Sequence, residues 1–576
     1  MAILGVHDAH DAGAAAVSKG DVIAAVNEER FTKLKNDVGF PSNSIKYLLG
    51  LANSDDIEKI AVAWIGGSAL FARVMPSLEK KRRKLWRKEL PKPSKTSMHF
   101  RNAVFRLVQD QKPKALWRAL GSSIGGMMLS SRLRQVGLDK KLVFVEHHLA
   151  HASSAYYASG FKEALVITLD GAGDGLSGTI SIGDNGELKR INQFNASASI
   201  GILYGAATVA CDMRYSEDEG KLMSLAAYSY PAEIDELNDI VMYDEKSRQL
   251  VSKSGKKFEY LLAEYMKDKL LWKYNREAFA YAVQKHVEEQ VLKIVRQYIN
   301  ETKIRNIAVA GGFFSNVITN MLINELPDVK DFFVFPHMGD GGIAMGAAYY
   351  VDYKEHGVFN PKQIDNLYYG PSYDDSHIEH VLKQKKKEGK ISYEEIKDIA
   401  SYAADAIADE NKIILWFQGR MEYGPRALGN RSVLAYPGDP KNRDRINLII
   451  KKRPYYQPFA STIIEEDAPK LLERYPRPNR FMTVGYKVFD EHFGKLVAAS
   501  HIDGTTRPQI LGSENPLYRK LILRIKKKTG TGAVLNTSFN KHGMPIVMSP
   551  EDALWTLENT GAEYLAIGSF FVEKKK

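Results

Sequence analysis

The stretch ILGVHDAHDAGAAAVSKGDVIAAVNEER, residues 3–30, is followed at residues 164–194 by ALVITLDGAGDGLSGTISIGDNGELKRINQF, which repeats its order of elements. Each copy reads as a strand, a polar turn, a second strand, a Gly-containing hairpin turn and a third strand. Such a duplication restricts the N-terminal part to two similar α/β halves. Both copies carry acidic or imidazole groups in the first turn, so two units facing one another would surround a cleft with His10, Asp11, Asp170 and Asp174.

A second signal lies just before the second copy. In EHHLAHASSAYY, His147 and His151 are four residues apart and project from one face of a helix. Asp170, on the strand that follows, can join them. Asp340 lies in FPHMGDGGIAMGAAYY, where an apolar strand ends in a Gly-rich turn and a helix of small residues begins. Two His and two Asp make a mixed N/O donor set that suits iron, manganese or zinc better than calcium. Isolated HxxxH pairs also arise by chance, and it is the neighbouring carboxylates that favour a metal site. Between these motifs, EAFAYAVQKHVEEQVLKIVRQYIN (277–300) has the spacing of a long amphipathic helix. NIAVAGGFFSNVITNMLI then reads as strand, glycine pair and helix, with Gly311, Gly312 and Asn316 as a candidate nucleotide-binding turn.

At 576 residues the chain exceeds one core and is expected to form at least two domains. The single cysteine, Cys211, excludes an internal disulfide and a cysteine-rich zinc module, and favours a reducing compartment. No apolar run approaches a membrane span, and MAILGV leads straight into a strand, so the expected location is cytoplasmic. The formal charge of +11 is modest for this length and unevenly spread. A boundary is expected at 355–372, where EHGVFNPKQIDNLYYGPSYDD collects turn-forming residues.

Beyond the boundary the chemistry is cationic. Arg420, Arg426, Arg431, Lys451 and Arg453 stand among Gly, Pro and aromatic residues, Arg507 follows in HIDGTTRPQ, and Asn536, Ser538 and Asn540 follow a strand in GAVLNTSFNKHGMPIV. Solvated basic faces are usually Lys-rich helices, whereas arginine forks and hydroxyls at strand ends suit phosphate oxyanions.

These motifs, together with EERFTKLKNDVGFP, LDGAGDG, EGKLMSLAAY, QGRMEYGPRALGNRS and LNTSFN, run over nearly the whole chain. In them the chain resembles the O-carbamoyltransferases of the NodU/CmcH type. The resemblance implies a duplicated actin-like (ASKHA) domain over 1–358, related to the threonylcarbamoyl-transfer enzymes, followed by a YrdC-like α/β domain over 366–576. It further implies an ATP-dependent enzyme, with Mg(2+) accompanying ATP, that moves a carbamoyl group from carbamoyl phosphate through carbamoyl-adenylate to a hydroxyl of a small natural-product or sugar-like acceptor. Lys451 and Arg453 match a K-x-R element and Ser538 and Asn540 an S-x-N element of the nucleotide site. Arg426, Gln457, Arg507 and Asn536, with Lys451 and Ser538, fall at carbamoyl phosphate-binding positions. His147, His151, Asp170 and Asp340 match the ligands of a metal, most often iron. His10 matches the catalytic base, with Asp11 beside it to orient the ring, and Lys35 matches a basic residue of that cleft. Relatives also suggest a homodimer.

The chain departs from the family pattern at Pro454 and Gln457, where Glu and Arg are usual, and at Ser224 and Ala227, where Gly and Pro are usual. Gln457 offers a phosphate only a neutral amide in place of a charged fork. Residues 70–135 are the least family-like. EKKRRKLWRKELPKPSKTSMHFRNAVFRLVQDQ reads as an inserted set of helices with a solvated basic face, or as an acceptor lid or anionic-surface contact, including lipid headgroups. Threonylcarbamoyl-type tRNA modification and a binding protein with a decayed site are the alternatives. The family-specific motifs oppose the first and the intact metal candidates the second, and nucleic acid is not the expected partner.

Overall fold

The computed structural model describes all residues except 52–53, 66, 110–113, 254–257 and 576. The chain divides into two compact units, Met1–Glu28 with Asn36–Ile364, and Glu29–Lys35 with Asp365–Lys576. The division at Ile364 falls inside the turn-rich stretch read from the sequence. The assignment of Glu29–Lys35 to the second unit had no sequence signal.

Strands β1 (Ala2–His7), β2 (Gly13–Ser18), β3 (Asp21–Asn27), β4 (Ile57–Ala63) and β5 (Lys141–Val145) form one sheet of the first unit, in the order β3-β2-β1-β4-β5. The second copy supplies β6 (Glu163–Gly173), β7 (Leu176–Asp184) and β8 (Glu187–Asn195). After a small hairpin, β9 (Met242–Asp244) and β10 (Gln249–Val251), come β11 (Asn306–Ala310) and β12 (Asp331–Val334). Their sheet runs β12-β11-β6-β7-β8, so the two sheets share one order. Each begins with an antiparallel meander of three strands and ends with two parallel strands added beside the first. The duplication is therefore one of topology as well as sequence.

The central strands are buried from end to end, as AILGVH of β1 is, because helices cover their faces. One of these helices, Ile343–His356, packs on β1, β2 and β4 and on the helix His147–Ser159. Its small residues, Ala344, Gly346, Ala347 and Ala348, permit that approach. Asp340, just before this helix, is thereby brought to the histidines. The expected amphipathic helix is Arg276–Thr302, started by Asn275, whose side chain accepts from the Ala278 N–H.

Between β4 and β5 stand the inserted helices Gly67–Val74, Pro76–Trp86, Lys95–Gln109 and Lys114–Gln135. Residues 110–113 of this insertion lie outside the described residues. It is tied to the sheet by a buried pair: Arg73 Nε and Nη2 each donate to the Asp8 carboxylate at 2.8 Å.

The second unit is a mixed sheet of eight strands. In chain order these are β13 (Ile391–Glu395), β14 (Ile414–Phe417), β15 (Arg431–Ala435), β16 (Ala460–Ile464), β19 (Gln509–Leu511), β20 (Ala533–Ser538), β21 (Tyr564–Ile567) and β22 (Phe570–Lys574), while β17 (Tyr486–Lys487) and β18 (Thr505–Thr506) form a separate ribbon. The sheet order is β13-β22-β21-β14-β15-β20-β16-β19. Alternation along β14 feeds two cores. Leu415 and Phe417 enter one, with the helix Pro550–Glu558, and Ile414 and Trp416 enter the other, with the helices Ile399–Ala408 and Pro516–Thr529.

Candidate functional site

His147 and His151 sit one turn apart on a helix capped by Glu146, whose carboxylate accepts from the Leu149 N–H. Asp170 lies where the β6 ladder is interrupted between Leu169 and Gly173, an irregularity that re-aims side chains. Gly173 is required there, because a Cβ at that position would lie 2.1 Å from the His147 ring. His147 Nε2 stands 3.2 Å from Asp170 Oδ2 and 3.6 Å from Asp340 Oδ1, and His151 Nε2 stands 3.2 Å from Asp340 Oδ1 and 3.9 Å from Asp170 Oδ2. One atom from each residue lies within 4.8 Å of the other three. Both rings thus turn the same nitrogen toward two carboxylates in a buried site. Two imidazoles and two carboxylates at this separation fit a divalent transition ion.

The charges support that fit. Burial draws the His147 imidazole down, but the carboxylates of Asp340 and Asp170 outweigh it and hold the group at about 9. Burial pushes Asp340 up, and His147, His10 and His151 together bring it well below the usual carboxylate range. The neighbouring His148 is held at about 3, by burial first and by His147 second. Its ring is committed to Thr168 and to the Leu176 carbonyl. It is a packing histidine.

His10 stands at the edge of this cluster. Its Nε2 is 3.1 Å from Asp340 Oδ2 and its Nδ1 is 3.3 Å from Asp11 Oδ2. Asp340 therefore presents one oxygen to His147 and His151 and the other to His10. His7 fixes the turn by donating from Nε2 to the His10 carbonyl at 2.8 Å. Asp174, grouped with these residues at the cleft by the repeat, serves the backbone instead, accepting from the N–H groups of His147 and Ile65.

The glycine pair also has a clear local role. Gly311 has φ of +106°, which a side chain rarely tolerates. Gly312 N–H donates to Asp170 Oδ1 at 3.0 Å. Asn316 caps the helix Val317–Asn324 through the Thr319 N–H and pairs with the buried Gln284. These donors brace the carboxylate loop.

In the second unit, the K-x-R and S-x-N elements meet. Lys451 Nζ donates to the Ser538 carbonyl, to Ser538 Oγ at 3.2 Å, and to Asn540 at its carbonyl (3.1 Å) and Oδ1 (2.5 Å). Its charged neighbours are cations, and no ion pair to a carboxylate is formed by Lys451, Arg426, Arg453 or Arg507 among the described residues. Burial first, then Arg453 and Lys35, push Lys451 well below its usual value. Burial and then Arg426 hold Arg453 at about 10, and burial, Arg426 and Arg453 hold Arg507 at about 9. Mutually repelling cations, Lys451 buried and the three arginines half-buried, favour an anion among them. Lys35, matched by resemblance to the His10 cleft, belongs to this unit and adds to this field.

Other candidates are used differently. Arg420 donates to the carbonyls of Tyr369 and Gly370, and Arg431 to those of Gln418, Asn430, Pro371 and Gly419, while its guanidinium stacks 3.6 Å over the Phe417 ring. Both hold loops together. Asn536 is buried on β20 and donates to Ala427 and Thr462. The Gln457 N–H closes a turn onto the Pro454 carbonyl. Sequence reasoning missed Arg83. It lies in the charge run read as a solvated face, yet its Nη2 is 3.6 Å from Asp11 Oδ2. The signal available was its spacing to Trp86, one turn on, over which its guanidinium packs.

Residues 2–349 match the carbamoyltransferase N-terminus and residues 404–574 the carbamoyltransferase C-terminus. The chain is 33% identical to nodulation protein NolNO of Sinorhizobium fredii over 98% of its own length and 79% of that protein's. It is 28% identical to 3'-hydroxymethylcephem-O-carbamoyltransferase of Amycolatopsis lactamdurans over 62% of its length and 65% of that protein's. Among solved structures, component A of (R)-2-hydroxyglutaryl-CoA dehydratase from Acidaminococcus fermentans gives a TM-score of 0.34 at 13% identity, covering 62% of this chain and 98% of that one. That likeness is too slight to carry an argument. With both family regions matched in order, the chain belongs to the carbamoyltransferases of the NodU/CmcH type and is an enzyme that transfers carbamoyl groups.

Proposed function

We propose that this enzyme is an ATP-dependent O-carbamoyltransferase acting on a small hydroxyl-bearing acceptor, with an actin-like first unit and a YrdC-like second unit. In the second unit, water hydrolyses carbamoyl phosphate to carbamate and phosphate, and a carbamate oxygen then attacks the α-phosphorus of ATP, breaking its bond to pyrophosphate and giving carbamoyl-adenylate. Lys451, Arg426, Arg453 and Arg507 oppose the charge on the phosphoryl oxygens, while Ser538 and Asn540 hold the Lys451 ammonium in place. Gly311, Gly312 and Asn316 remain candidates for the nucleotide in the first unit, and Gln457 and Asn536 for carbamoyl phosphate in the second.

In the first unit, His147, His151, Asp170 and Asp340 would hold a divalent ion, iron by family resemblance, and that ion would supply Lewis acidity toward a phosphate oxygen. His10 accepts the proton of the acceptor hydroxyl as its oxygen bonds to the carbamoyl carbon and AMP leaves. Asp11 and Asp340 flank the imidazole and fix its orientation.

The observation that carries the reading is the shared carboxylate: Asp340 joins the four-residue cluster and holds His10. Acyl transfer to a hydroxyl needs a base beside an electrophilic centre, and this arrangement supplies both positions. The cephem O-carbamoyltransferase among the relatives supports a small-molecule acceptor over tRNA.

The test is pyrophosphate release from ATP. It should require carbamoyl phosphate, and added acceptor should then yield AMP and a carbamate ester. Pyrophosphate release independent of carbamoyl phosphate contradicts the proposal.

A further inference from the structure

The inserted helix Pro76–Trp86 brings one side chain, Arg83, to Asp11, the residue beside His10. Arg83 is 5% exposed, and its guanidinium is wedged against the Trp86 ring, 4.7 Å from the centroid. Trp86 in turn packs on Tyr215 at 4.8 Å. Arg83 Nη2 lies 3.6 Å from Asp11 Oδ2, too far for a good hydrogen bond, and Nε and Nη2 have no hydrogen-bond partner among the described residues. Its neighbour Arg82, whose Nε also lacks a hydrogen-bond partner among the described residues, has two carboxylates close by, Glu79 at 3.3 Å and Glu259 at 4.0 Å. A buried guanidinium with its Nε/Nη2 edge unspent leaves donors that a ligand oxygen can satisfy.

Asp11 decides the ligand's charge. It already gives Arg83 a partial counter-charge and touches His10, and Asp340 lies on the other side of that ring. A second anion here would face two carboxylates. A neutral pair of adjacent oxygens fits better, with the reacting hydroxyl donating toward His10 and the neighbouring hydroxyl donating to Asp11 while its oxygen accepts from Arg83. We propose that Arg83 is a specificity residue that reads the oxygen next to the reacting hydroxyl, so that the acceptor site selects a vicinal diol. The inference rests on the O-carbamoyltransferase reading above. In the step it serves, the diol oxygen bonds to the carbamoyl carbon, the bond from that carbon to the adenylate phosphate oxygen breaks, AMP leaves, and His10 takes the proton.

The same chemistry exists on the ribose of the nucleotide, so the experiment separates the two sources. Carbamate ester formation is measured with the full-length metal-loaded enzyme, carbamoyl phosphate and ATP, using ethylene glycol and cis-1,2-cyclohexanediol against ethanol and cyclohexanol. The wild type should favour each diol about tenfold, as one charge-assisted hydrogen bond provides. Arg83→Met should bring the ratio to within about twofold. Arg83→Lys, which keeps the charge without the fork, should do the same and carries the test if the Met variant does not fold. A ratio that survives in both variants, with both alcohols slowed equally, makes Arg83 only the counter-ion of Asp11 and overturns the proposal. Loss of discrimination between ATP and its 2'-deoxy analogue, with the diol ratio intact, assigns Arg83 to the nucleotide and also overturns it. Absence of any diol preference in the wild type overturns it too. Absence of carbamoyl phosphate-dependent pyrophosphate release is a separate result, and defeats the parent reading.

Discussion

At the scale of single residues, the site is a set of charges that would not be stable apart. Asp340 and Asp170 are buried carboxylates kept ionised by imidazoles, and an ion among them would satisfy both kinds of ligand at once. Replacing His147 and His151 by Ala should weaken metal retention by more than the roughly 10–100-fold that loss of an outer partner costs. Metal analysis of the purified double variant checks this, and full stoichiometric metal would contradict the ligand assignment. His7 gives a separate expectation. Burial holds its pKa down at about 4, whereas in the unfolded chain it is about 6.5. Below pH 6.5 the unfolded state therefore binds a proton that the folded state refuses, and stability falls until about pH 4, where the folded state protonates as well. The contribution is about 3 kcal/mol at most over that window, and is absent above it. Denaturant melts of wild type and His7→Gln between pH 7 and pH 4 should converge as the pH falls, and parallel curves would show that His7 is not the titrating group.

Among the elements, the strands were the most legible part of the sequence. The strand, turn and hairpin order of residues 3–30 and 164–194 is the order found, because short apolar runs and the hairpin turns between them are local properties. His147, His151, Asp170 and Asp340 could also be read, since each lies at a fixed position on its element: helix face, strand or helix start. The inserted helices could not be read in the same way. Their basic run KRRKLW looks solvent-facing by composition, yet Arg83 and Trp86 turn inward while Lys80, Lys81 and Lys84 stay outside. Which face a charged helix buries depends on the carboxylates it meets, here Asp11, and that is a long-range fact. Arg420 and Arg431 were opaque for the same reason, because their partners are backbone carbonyls of loops. Arg73 shows what such pairs contribute. Arg73→Ala would leave Asp8 buried without its partner and should destabilise the first unit by about 3–5 kcal/mol. Thermal melts of this variant and of Asp8→Asn/Arg73→Met test it. The double change should recover part of the loss, and equal stability of Arg73→Ala and wild type would contradict the assignment.

For the whole molecule, the proposed function divides one reaction between two units. Lys451 lies in the second unit among Ser538, Asn540 and several arginines, and His10 lies in the first beside the His147, His151, Asp170 and Asp340 cluster. Each unit has its own core and its own chemistry, so the two defects should differ in kind. Lys451→Met removes the ammonium that organises the S-x-N element and should abolish carbamoyl phosphate-dependent pyrophosphate release. His10→Ala should leave that release in place and slow ester formation by about 10²–10⁴-fold, the usual contribution of a positioned base. The most direct measurement follows pyrophosphate, adenylate and carbamate ester together in the two variants under single-turnover conditions. The account predicts adenylate without ester in His10→Ala and neither product in Lys451→Met. Adenylate formed by Lys451→Met and missing from His10→Ala would contradict it.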